Sequence, residues 1–130
     1  MDITEDICSR LPDATYLGSL EGNFNINGAD VKVFHGNDGS SYALSYREQK
    51  ILEMMSPSEL PAMLITGHTH KSMYFKYRGT HIICGGTLQS QTPFMRGKKL
   101  PAHVGWWIVS MCVQDGKIVW VQPRWYDLER

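Results

Sequence analysis

A short apolar stretch that ends in two histidines decides the fold: residues 63–70, Met-Leu-Ile-Thr-Gly-His-Thr-His. Residues 63–65 are hydrophobic and Thr66-Gly67 closes the run, a pattern that is typical of a short strand covered on both faces. His68 and His70 follow in a loop, where the glycine allows unusual backbone dihedrals. The stretch therefore predicts a buried strand that delivers two imidazoles at its C-terminal end.

A second strand with a similar ending lies upstream, at residues 31–34, and runs directly into His35-Gly36. Between the two strands, residues 42–55 have the apolar spacing of a helix. Its apolar face holds Tyr42, Tyr46 and Leu52 or Met55, and is widened by Ala43, Leu44, Ile51 and Met54. Such a strand–helix–strand step favours parallel, right-handed pairing of the strands.

Parallel pairing would bring the histidines together. The carboxyl ends of parallel strands lie at one edge of a sheet, and open α/β proteins bind ligands there. We therefore expect His35 to converge with His68 and His70 at one pocket.

The rest of the chain is rich in strand patterns joined by Gly-containing turns. Residues 2–11 have the spacing of a short helix, and residues 87–103 form a long polar stretch without a period, which predicts a loop. We expect further extended segments or strands at residues 15–20, 22–26, 73–77, 81–84, 105–113 and 117–122, and a surface tail from residue 123. The predicted fold is a strand-rich α/β domain over residues 1–130, with two β-hairpins after a single main helix.

Composition limits the classes of function without choosing one. The 130 residues are 42% hydrophobic and carry 13 basic and 13 acidic side chains, so net charge gives no support for binding to nucleic acid or to a membrane. The three cysteines are far apart, and Cys84 and Cys112 lie in apolar runs, which favours free thiols in a reducing compartment. Because no signal-peptide pattern and no apolar stretch of about 20 residues are found, we expect a cytoplasmic protein without membrane contact.

Two interpretations of the histidines remain open on spacing alone. Imidazole nitrogens bind zinc, iron and manganese, and a Gly-His-x-His sequence after an apolar strand fits such a site. A histidine at a strand end also commonly serves as a hydrogen-bonded surface residue in a small domain that binds no metal. Of the other histidines, we expect His81 to be a cross-strand residue, and His103, in the long loop, is a weaker site candidate.

The order and spacing of these motifs resemble the second half of the calcineurin-like metallophosphoesterase family. In that family one strand ends in His-Gly or His-Pro and a later strand ends in Gly-His-x-His, often as Gly-His-Thr-His. The matching residues here are His35-Gly36 and Gly67-His68-Thr69-His70. Residues 42–47 are similar to a group of small phosphoesterases related to the DNA-repair nuclease subfamily. The resemblance extends over roughly residues 15–122 and implies the C-terminal half of a metallophosphoesterase-type α/β sandwich.

The resemblance implies a role for each histidine. His35 and His68 would ligate one divalent ion and His70 a second, with manganese, iron or zinc as the ions. Such a pair of ions clamps a phosphoryl group and lowers the pKa of the attacking water. The implied activity is that of a hydrolase, a phosphatase or phosphodiesterase, whose phosphoester substrate could be a nucleotide or a nucleic acid.

The family's first-half motifs, Asp-x-His, Gly-Asp-x-x-Asp and Gly-Asn-His-Asp/Glu, have no counterpart in residues 1–34. Without their carboxylates, we expect this chain to bind metal partially or not at all in isolation, and to be inactive alone. The complete site would need the N-terminal half, from a longer protein or from a partner. The alternative is a catalytically incomplete module of the same fold that acts by pairing with a partner or with itself.

Four polar residues are candidates for contact with the substrate. They flank the motifs or lie in the long loop, and their amide or cationic groups suit a phosphate oxygen. They are Asn37, Arg47, Lys71 and Arg96. For each of them an ordinary surface role is the alternative, and we assign no catalytic residue to this chain.

Overall fold

The computed structural model of the chain describes residues 2–35, 45–99 and 101–128. Strands predominate over helices in this described part. In chain order the elements are α1 (Ile3–Arg10), β1 (Glu21–Ile26), β2 (Ala29–Phe34), α2 (Tyr46–Glu53), β3 (Met63–Thr66), β4 (Ser72–Tyr77), β5 (Thr80–Gly85), α3 (Pro93–Gly97), β6 (Gly105–Gln114) and β7 (Lys117–Asp127). A 3₁₀ turn at Pro57–Glu59 precedes β3. The predicted strand-rich α/β class, with two hairpins after the main helix, is confirmed.

Five strands form one mixed sheet in the order β1-β2-β3-β5-β4. Its centre is parallel: β2 pairs with β3 from Val31↔Met63 to Phe34↔Thr66, and β3 pairs with β5. The edge strands β1 and β4 are antiparallel to their neighbours and complete hairpins with them. The predicted parallel pairing of the two strands that precede the histidine motifs is therefore confirmed.

The sheet is covered on both faces, as central parallel strands require. Helix α2 packs on one face, and the β6–β7 hairpin, a separate two-stranded sheet, packs on the other. The buried clusters on the two faces are Leu52, Leu64, Ile82 and Cys84, and Val31, Met63 and Ile83, respectively. Since a fully buried aliphatic side chain contributes about 1.5–3 kcal/mol, these clusters hold the sheet between its two covers.

Helix α2 presents only part of its predicted apolar face to the sheet, where Ile51, Leu52 and Met55 pack. Leu52 is fully buried, as expected, but Tyr46 is 49% exposed and Met54 is 87% exposed. Arg47 and Glu48 are buried instead. The burial of two charged residues is possible because they pair with each other, as described below. The first residues of the predicted helix lie outside the described residues.

Two contacts fix the β6–β7 hairpin against the five-stranded sheet. The indole Nε1 of Trp107 donates to the Cys84 carbonyl at 2.9 Å. The second contact joins the β1–β2 turn to the β6–β7 turn, whose backbones touch. A Cβ added at Gly28 would lie 3.0 Å from the Gly116 Cα. These glycines thus serve a close approach as well as the positive φ of their turns.

Helix α1 begins at its predicted position and leaves its apolar stripe uncovered. Asp2 caps the helix by accepting a hydrogen bond from the Glu5 backbone N–H at 2.9 Å. Ile3, Ile7 and Leu11, whose spacing predicts the helix, are all more than half exposed. No helix in the described part of the chain is long and apolar enough to cross a membrane.

Three segments differ from the expectations. Residues 93–97 form α3 inside the predicted loop, because Thr92 caps the helix and Pro93 suits its first position. Residues 15–20 carry no strand. Strand β7 continues to Asp127, through most of the predicted tail, because it pairs with β6 as far as Gly105.

Candidate metal centre at the ends of β2 and β3

The carboxyl ends of β2 and β3 lie side by side and carry the two histidine motifs. The register pairs Phe34 with Thr66, so His35 and Gly67 are the next residues at this edge of the sheet. A Cβ added to Gly67 would lie 3.8 Å from the His35 carbonyl oxygen, within ordinary van der Waals contact. Two short apolar strands in parallel register therefore bring two loops together that are distant in sequence.

The imidazoles of His35 and His68 meet at this edge. His68 Nδ1 lies 3.2 Å from His35 Nε2, and the ring centroids are 5.0 Å apart with 66° between the ring planes. Both residues are exposed. When both rings are neutral, one nitrogen can donate its N–H to the other; alternatively, both nitrogens can offer lone pairs to a shared ion.

The turn that carries His68 and His70 has an uncommon backbone conformation. Both residues have positive φ, 73° and 59° respectively. The left-handed region costs a non-glycine residue about 1–2 kcal/mol and persists where surrounding contacts enforce it. One such contact lies within the turn, where the Thr69 N–H donates to the Gly67 carbonyl at 2.9 Å. Strain of this kind is concentrated at functional sites.

His70 contributes a buried nitrogen to this region. Its Nδ1 has no hydrogen-bond partner among the described residues, although leaving a buried polar atom unpaired costs about 1–3 kcal/mol. The His70 backbone is held in place, because its carbonyl accepts a hydrogen bond from the His103 N–H at 2.8 Å. Within the described part of the chain, the hydrogen-bonding capacity of this nitrogen is thus unused.

The two remaining histidines, His81 and His103, form hydrogen bonds within the protein. His103 Nδ1 accepts from the Ser72 N–H at 2.8 Å, which ties the segment before β6 to the residues that follow the motif. His81, the predicted cross-strand residue, is buried in β5, and its Nδ1 lies 2.7 Å from the Tyr74 hydroxyl. The structure therefore gives His103 a supporting position beside the turn and places His81 at the opposite end of the parallel strands.

The geometry of His35 and His68 fits two ligands of one ion. Two nitrogens that each lie about 2.0–2.1 Å from a tetrahedral zinc are roughly 3.3–3.4 Å apart, close to the 3.2 Å observed. Within residues 2–35, 45–99 and 101–128, no group of three or more His, Cys, Asp and Glu side chains is arranged to hold an ion. Two imidazole nitrogens alone would be fewer than the four ligands of a tetrahedral zinc site.

A buried ion pair lies directly beneath the turn. Arg47 Nη2 is 2.8 Å from Glu48 Oε1 and donates to the Gly67 carbonyl at 3.2 Å. Glu48 Oε1 also accepts from Thr66 Oγ1 at 3.1 Å. Beside them, Cys84 Sγ lies 3.2 Å from Thr66 Oγ1, and burial raises the pKa of the Cys84 thiol to about 12. Charged and hydroxyl groups thus connect helix α2 to the end of β3 and to the histidine turn.

The predicted substrate-contacting residues occupy different environments. Arg47 is 7% exposed and lies under the turn rather than on an open loop. Lys71 is half-buried directly after His70, and its carbonyl accepts from the Gly86 N–H at 3.0 Å. Arg96 is exposed on α3, and Asn37 lies outside the described residues. A role in substrate binding stays a prediction for each of the four.

Sequence reasoning missed Glu48 and Thr66 as neighbours of the site. Their contact depends on the rotation of α2 about its axis, which the apolar spacing fixes only in part, because that spacing also includes the exposed Tyr46 and Met54. The local signal that could have found them is weak, namely an adjacent Arg-Glu pair in a helix that follows one histidine motif and a threonine just before the next.

No protein-family model matches the chain. Among curated proteins, the DNA polymerase II small subunit of Methanothermobacter thermautotrophicus is 53% identical to it over 38 residues, which are 29% of this chain and 8% of that protein. The chain thus corresponds to a small part of the length of this relative.

Several solved structures follow a similar chain course. Vps29 from Entamoeba histolytica, complexed with Zn²⁺, has a TM-score of 0.48 and 16% identity, with 92% of this chain and 67% of that chain covered. Vps29 from Cryptosporidium parvum has a TM-score of 0.47 and 18% identity, with 90% and 63% covered. For TM1076 from Thermotoga maritima the values are 0.44 and 18%, with 95% and 59% covered. Vps29 and TM1076 are proteins of the calcineurin-like metallophosphoesterase fold, and this chain spans about two thirds of their length or less.

Proposed function

We propose that this chain supplies His35, His68 and His70 to a two-metal centre that hydrolyses phosphoesters. The observation that carries the proposal is the 3.2 Å separation of His35 Nε2 and His68 Nδ1 at the carboxyl ends of two parallel strands. The buried Nδ1 of His70, which has no hydrogen-bond partner among the described residues, supports it, as does the resemblance of both motifs to calcineurin-like metallophosphoesterases. In the proposed centre His35 and His68 hold one ion and His70 holds the other, and manganese, iron and zinc all suit imidazole ligands.

In this centre the metal ions and the protein chain would have different roles. When bound, two divalent ions supply Lewis acidity and an activated water nucleophile. The part of this chain would be to hold the three imidazoles. The parallel register, which brings His35 and His68 within 3.2 Å of each other, supports this role. Since no group of three ligand side chains occurs among the described residues, the remaining ligands would come from a second segment, in a longer protein or in a partner chain.

A nucleic-acid phosphodiester is the substrate class that we favour. The curated relative is named as a DNA polymerase subunit, and residues 42–47 resemble phosphoesterases related to the DNA-repair nuclease subfamily. Lys71 follows His70 directly, so its ammonium group is suited to hold a phosphate oxygen near the ions. Arg96, exposed on α3, is a second candidate for this contact.

A non-catalytic module is the second candidate function, and exposed apolar surface favours it. On the outer face of the β6–β7 hairpin, Trp106, Ile108 and Trp120 are each 40% exposed or more. Clusters of exposed apolar residues on one face are typical of protein-interaction sites, and the matching relative is named as a subunit. In this alternative the chain acts by pairing with a partner or with itself.

Measurement of metal binding at individual histidines tests whether the proposed metal site exists. Substoichiometric Mn²⁺ should broaden the imidazole ¹⁵N-correlated NMR signals of His35 and His68 first, and it should leave the signals of His81 sharp. NMR detects weak binding, which is what an incomplete ligand set predicts. The variants His35→Ala and His68→Ala should abolish the selective broadening, whereas His81→Asn, which can still bond to Tyr74, should not. Uniform broadening, or none at millimolar Mn²⁺, would refute the metal site.

Hydrolysis then separates the two candidate functions. The natural full-length protein, or the complex that contains this chain, should cleave a 5′-labelled DNA oligonucleotide with added Mn²⁺, and His68→Ala should lower the rate by about 100-fold or more. The variant His81→Asn is the control and should retain the rate. Selective Mn²⁺ binding without any cleavage in the assembled protein would favour the non-catalytic module.

A further inference from the structure

We infer that the buried cluster of Arg47, Glu48 and Thr66 is a positioning device that sets the spacing of His35 and His68. That this spacing serves metal binding rests on the proposed function. The geometry itself is a property of the chain without metal. The three residues have 7%, 2% and 2% exposure respectively. The inferred role needs no contact with an ion or a substrate, and it gives Arg47 a different function from the substrate contact that its sequence position predicts.

The first part of the device joins helix α2 to the turn. Arg47 uses Nε and Nη2 to reach a single oxygen, Glu48 Oε1, at 3.2 and 2.8 Å. The same Nη2 also donates to the Gly67 carbonyl at 3.2 Å. Because Glu48 fixes the orientation of the guanidinium plane, Arg47 can hold the carbonyl that opens the histidine turn in one place.

The second part joins the same carboxylate to strand β3. Thr66 Oγ1 donates to Glu48 Oε1 at 3.1 Å, so one oxygen anchors both the helix and the last residue of the strand. Thr66 is also the register partner of Phe34, the residue before His35. The cluster therefore holds the chain immediately before the second histidine motif, and the strand pairing of Thr66 links it to the residue before the first.

The Gly67 carbonyl is the point where these contacts reach the turn. It accepts hydrogen bonds from Arg47 Nη2 and from the Thr69 N–H, at 3.2 and 2.9 Å. His68 and His70, on either side of Thr69, have left-handed φ values, which persist where contacts over-determine the backbone. Loss of the Arg47 contact should allow the turn to relax and His68 Nδ1 to move relative to His35 Nε2.

The energetics of buried ion pairs indicate that Arg47 and Glu48 serve the geometry of the turn more than the stability of the fold. Desolvation of a buried ion pair commonly cancels its Coulomb attraction, and apolar side chains of similar volume are often equally stabilising. Helix α2 already packs on the apolar cluster around Leu52 and Leu64, so the helix has other sources of stability. What an apolar pair could not supply is a directed hydrogen bond to the Gly67 carbonyl and to Thr66.

Four variants of the full chain and one matched control test the inference. Arg47→Lys keeps the charge but removes the planar fork, Glu48→Gln keeps the shape, and Thr66→Val removes the hydroxyl, which Thr66→Ser restores. The control is Arg78→Lys, because Arg78 also donates to backbone carbonyls, those of Leu52 and Met55 at the other end of α2. The readouts are the melting temperature, the imidazole ¹⁵N shifts of metal-free protein, and the Co²⁺ affinity.

We expect Arg47→Lys and Thr66→Val to shift the His35 and His68 ring signals of the metal-free protein, and Thr66→Ser to restore them. Their Co²⁺ affinity should fall about tenfold, the usual effect of removing a partner that orients ligands. Arg78→Lys should lower the melting temperature without moving either the ring signals or the affinity. If Arg47→Lys does not fold, Glu48→Gln and Thr66→Val decide the outcome.

Two results are read separately. Unchanged ring signals in all the folded cluster variants, together with a lowered melting temperature, would overturn the inference and leave the cluster a purely structural one. If wild-type protein binds no Co²⁺ at these histidines, the proposed metal site fails, but the ring signals of the metal-free variants still decide whether the cluster positions His35 and His68.

Discussion

His35 Nε2 lies 3.2 Å from His68 Nδ1, although 33 residues separate the two histidines in the chain. The pairing of Phe34 with Thr66 in parallel strands creates this contact, because it places the residues that follow both strands at one edge of the sheet. A shift of the register by one residue would turn every side chain of one strand to the opposite face. The site therefore depends on the packing that fixes β2 and β3.

Truncation of Leu52 should weaken that packing strongly. Leu52 is fully buried where α2 meets the sheet, whereas Met54, two residues later, is 87% exposed. We expect Leu52→Ala to lower the free energy of unfolding by about 2–5 kcal/mol and Met54→Ala to change it by less than about 0.5 kcal/mol. Urea unfolding followed by circular dichroism measures both values, and equal effects of the two substitutions would contradict the observed orientation of α2.

The orientation of α2 is also a feature that the sequence does not fully predict. Strand type, turn glycines and the parallel connection follow local and topological rules, so residues 31–35 and 63–70 could be placed together from sequence. The rotation of the helix could be placed only in part. Ile51, Leu52 and Met55 of the predicted face pack on the sheet, but Tyr46 and Met54 are exposed and the charged residues Arg47 and Glu48 are buried. Their burial is decided by tertiary hydrogen bonds to Thr66 and Gly67, which no spacing rule encodes.

Helix α3 shows the same limit on a smaller scale. The segment 87–103 has no apolar period, and the sequence therefore predicts a loop, yet Thr92 and Pro93 start one short helix within it. The capping signal was present in the sequence, but five residues are too few to show a period. Elements of this length are decided by capping and by contacts, such as the burial of Met95.

The two adjacent tryptophans of β6 should respond differently to the same substitution. Trp107 Nε1 donates to the Cys84 carbonyl at 2.9 Å, whereas Trp106 is 40% exposed and stacks on Tyr126. Trp107→Phe leaves a carbonyl of β5 without this donor, so we expect it to cost about 1–3 kcal/mol. Trp106→Phe keeps an aromatic ring for stacking and should cost less than about 1 kcal/mol. Thermal unfolding of the two variants gives the comparison, and an equal loss would show that the indole hydrogen bond does not secure the hairpin.

The thiols should differ in reactivity in the folded protein. Burial raises the pKa of Cys84 to about 12 and leaves the residue 2% exposed, whereas Cys8 and Cys112 are half-buried. Because the thiolate is the reactive form, iodoacetamide at pH 8 should modify Cys8 and Cys112 long before Cys84. Peptide mass spectrometry of native and urea-unfolded protein measures this, with the unfolded chain as the control in which all three react. Fast native labelling of Cys84 would mean that β5 opens readily.

His81 should make stability depend on pH in a predictable direction. Burial, with a smaller effect of Lys76, lowers the pKa of His81 below its ordinary value of 6.5. As the pH falls through 6.5, the unfolded chain takes up a proton at this residue before the folded chain does, so protonation favours unfolding. The contribution of neutral His81 is therefore complete above this pH and is lost as the pH falls from there to the pKa of the folded state.

Comparison of wild type with His81→Asn isolates this effect, because the other histidines are common to both proteins. The variant keeps a group that can bond to the Tyr74 hydroxyl, the partner of His81 Nδ1 at 2.7 Å. We expect the difference in unfolding free energy, wild type minus variant, to decrease between pH 7.5 and pH 5.5. Urea titrations at several pH values measure it. A difference that stays constant or grows as the pH falls would show that His81 is not held in its neutral form by the fold.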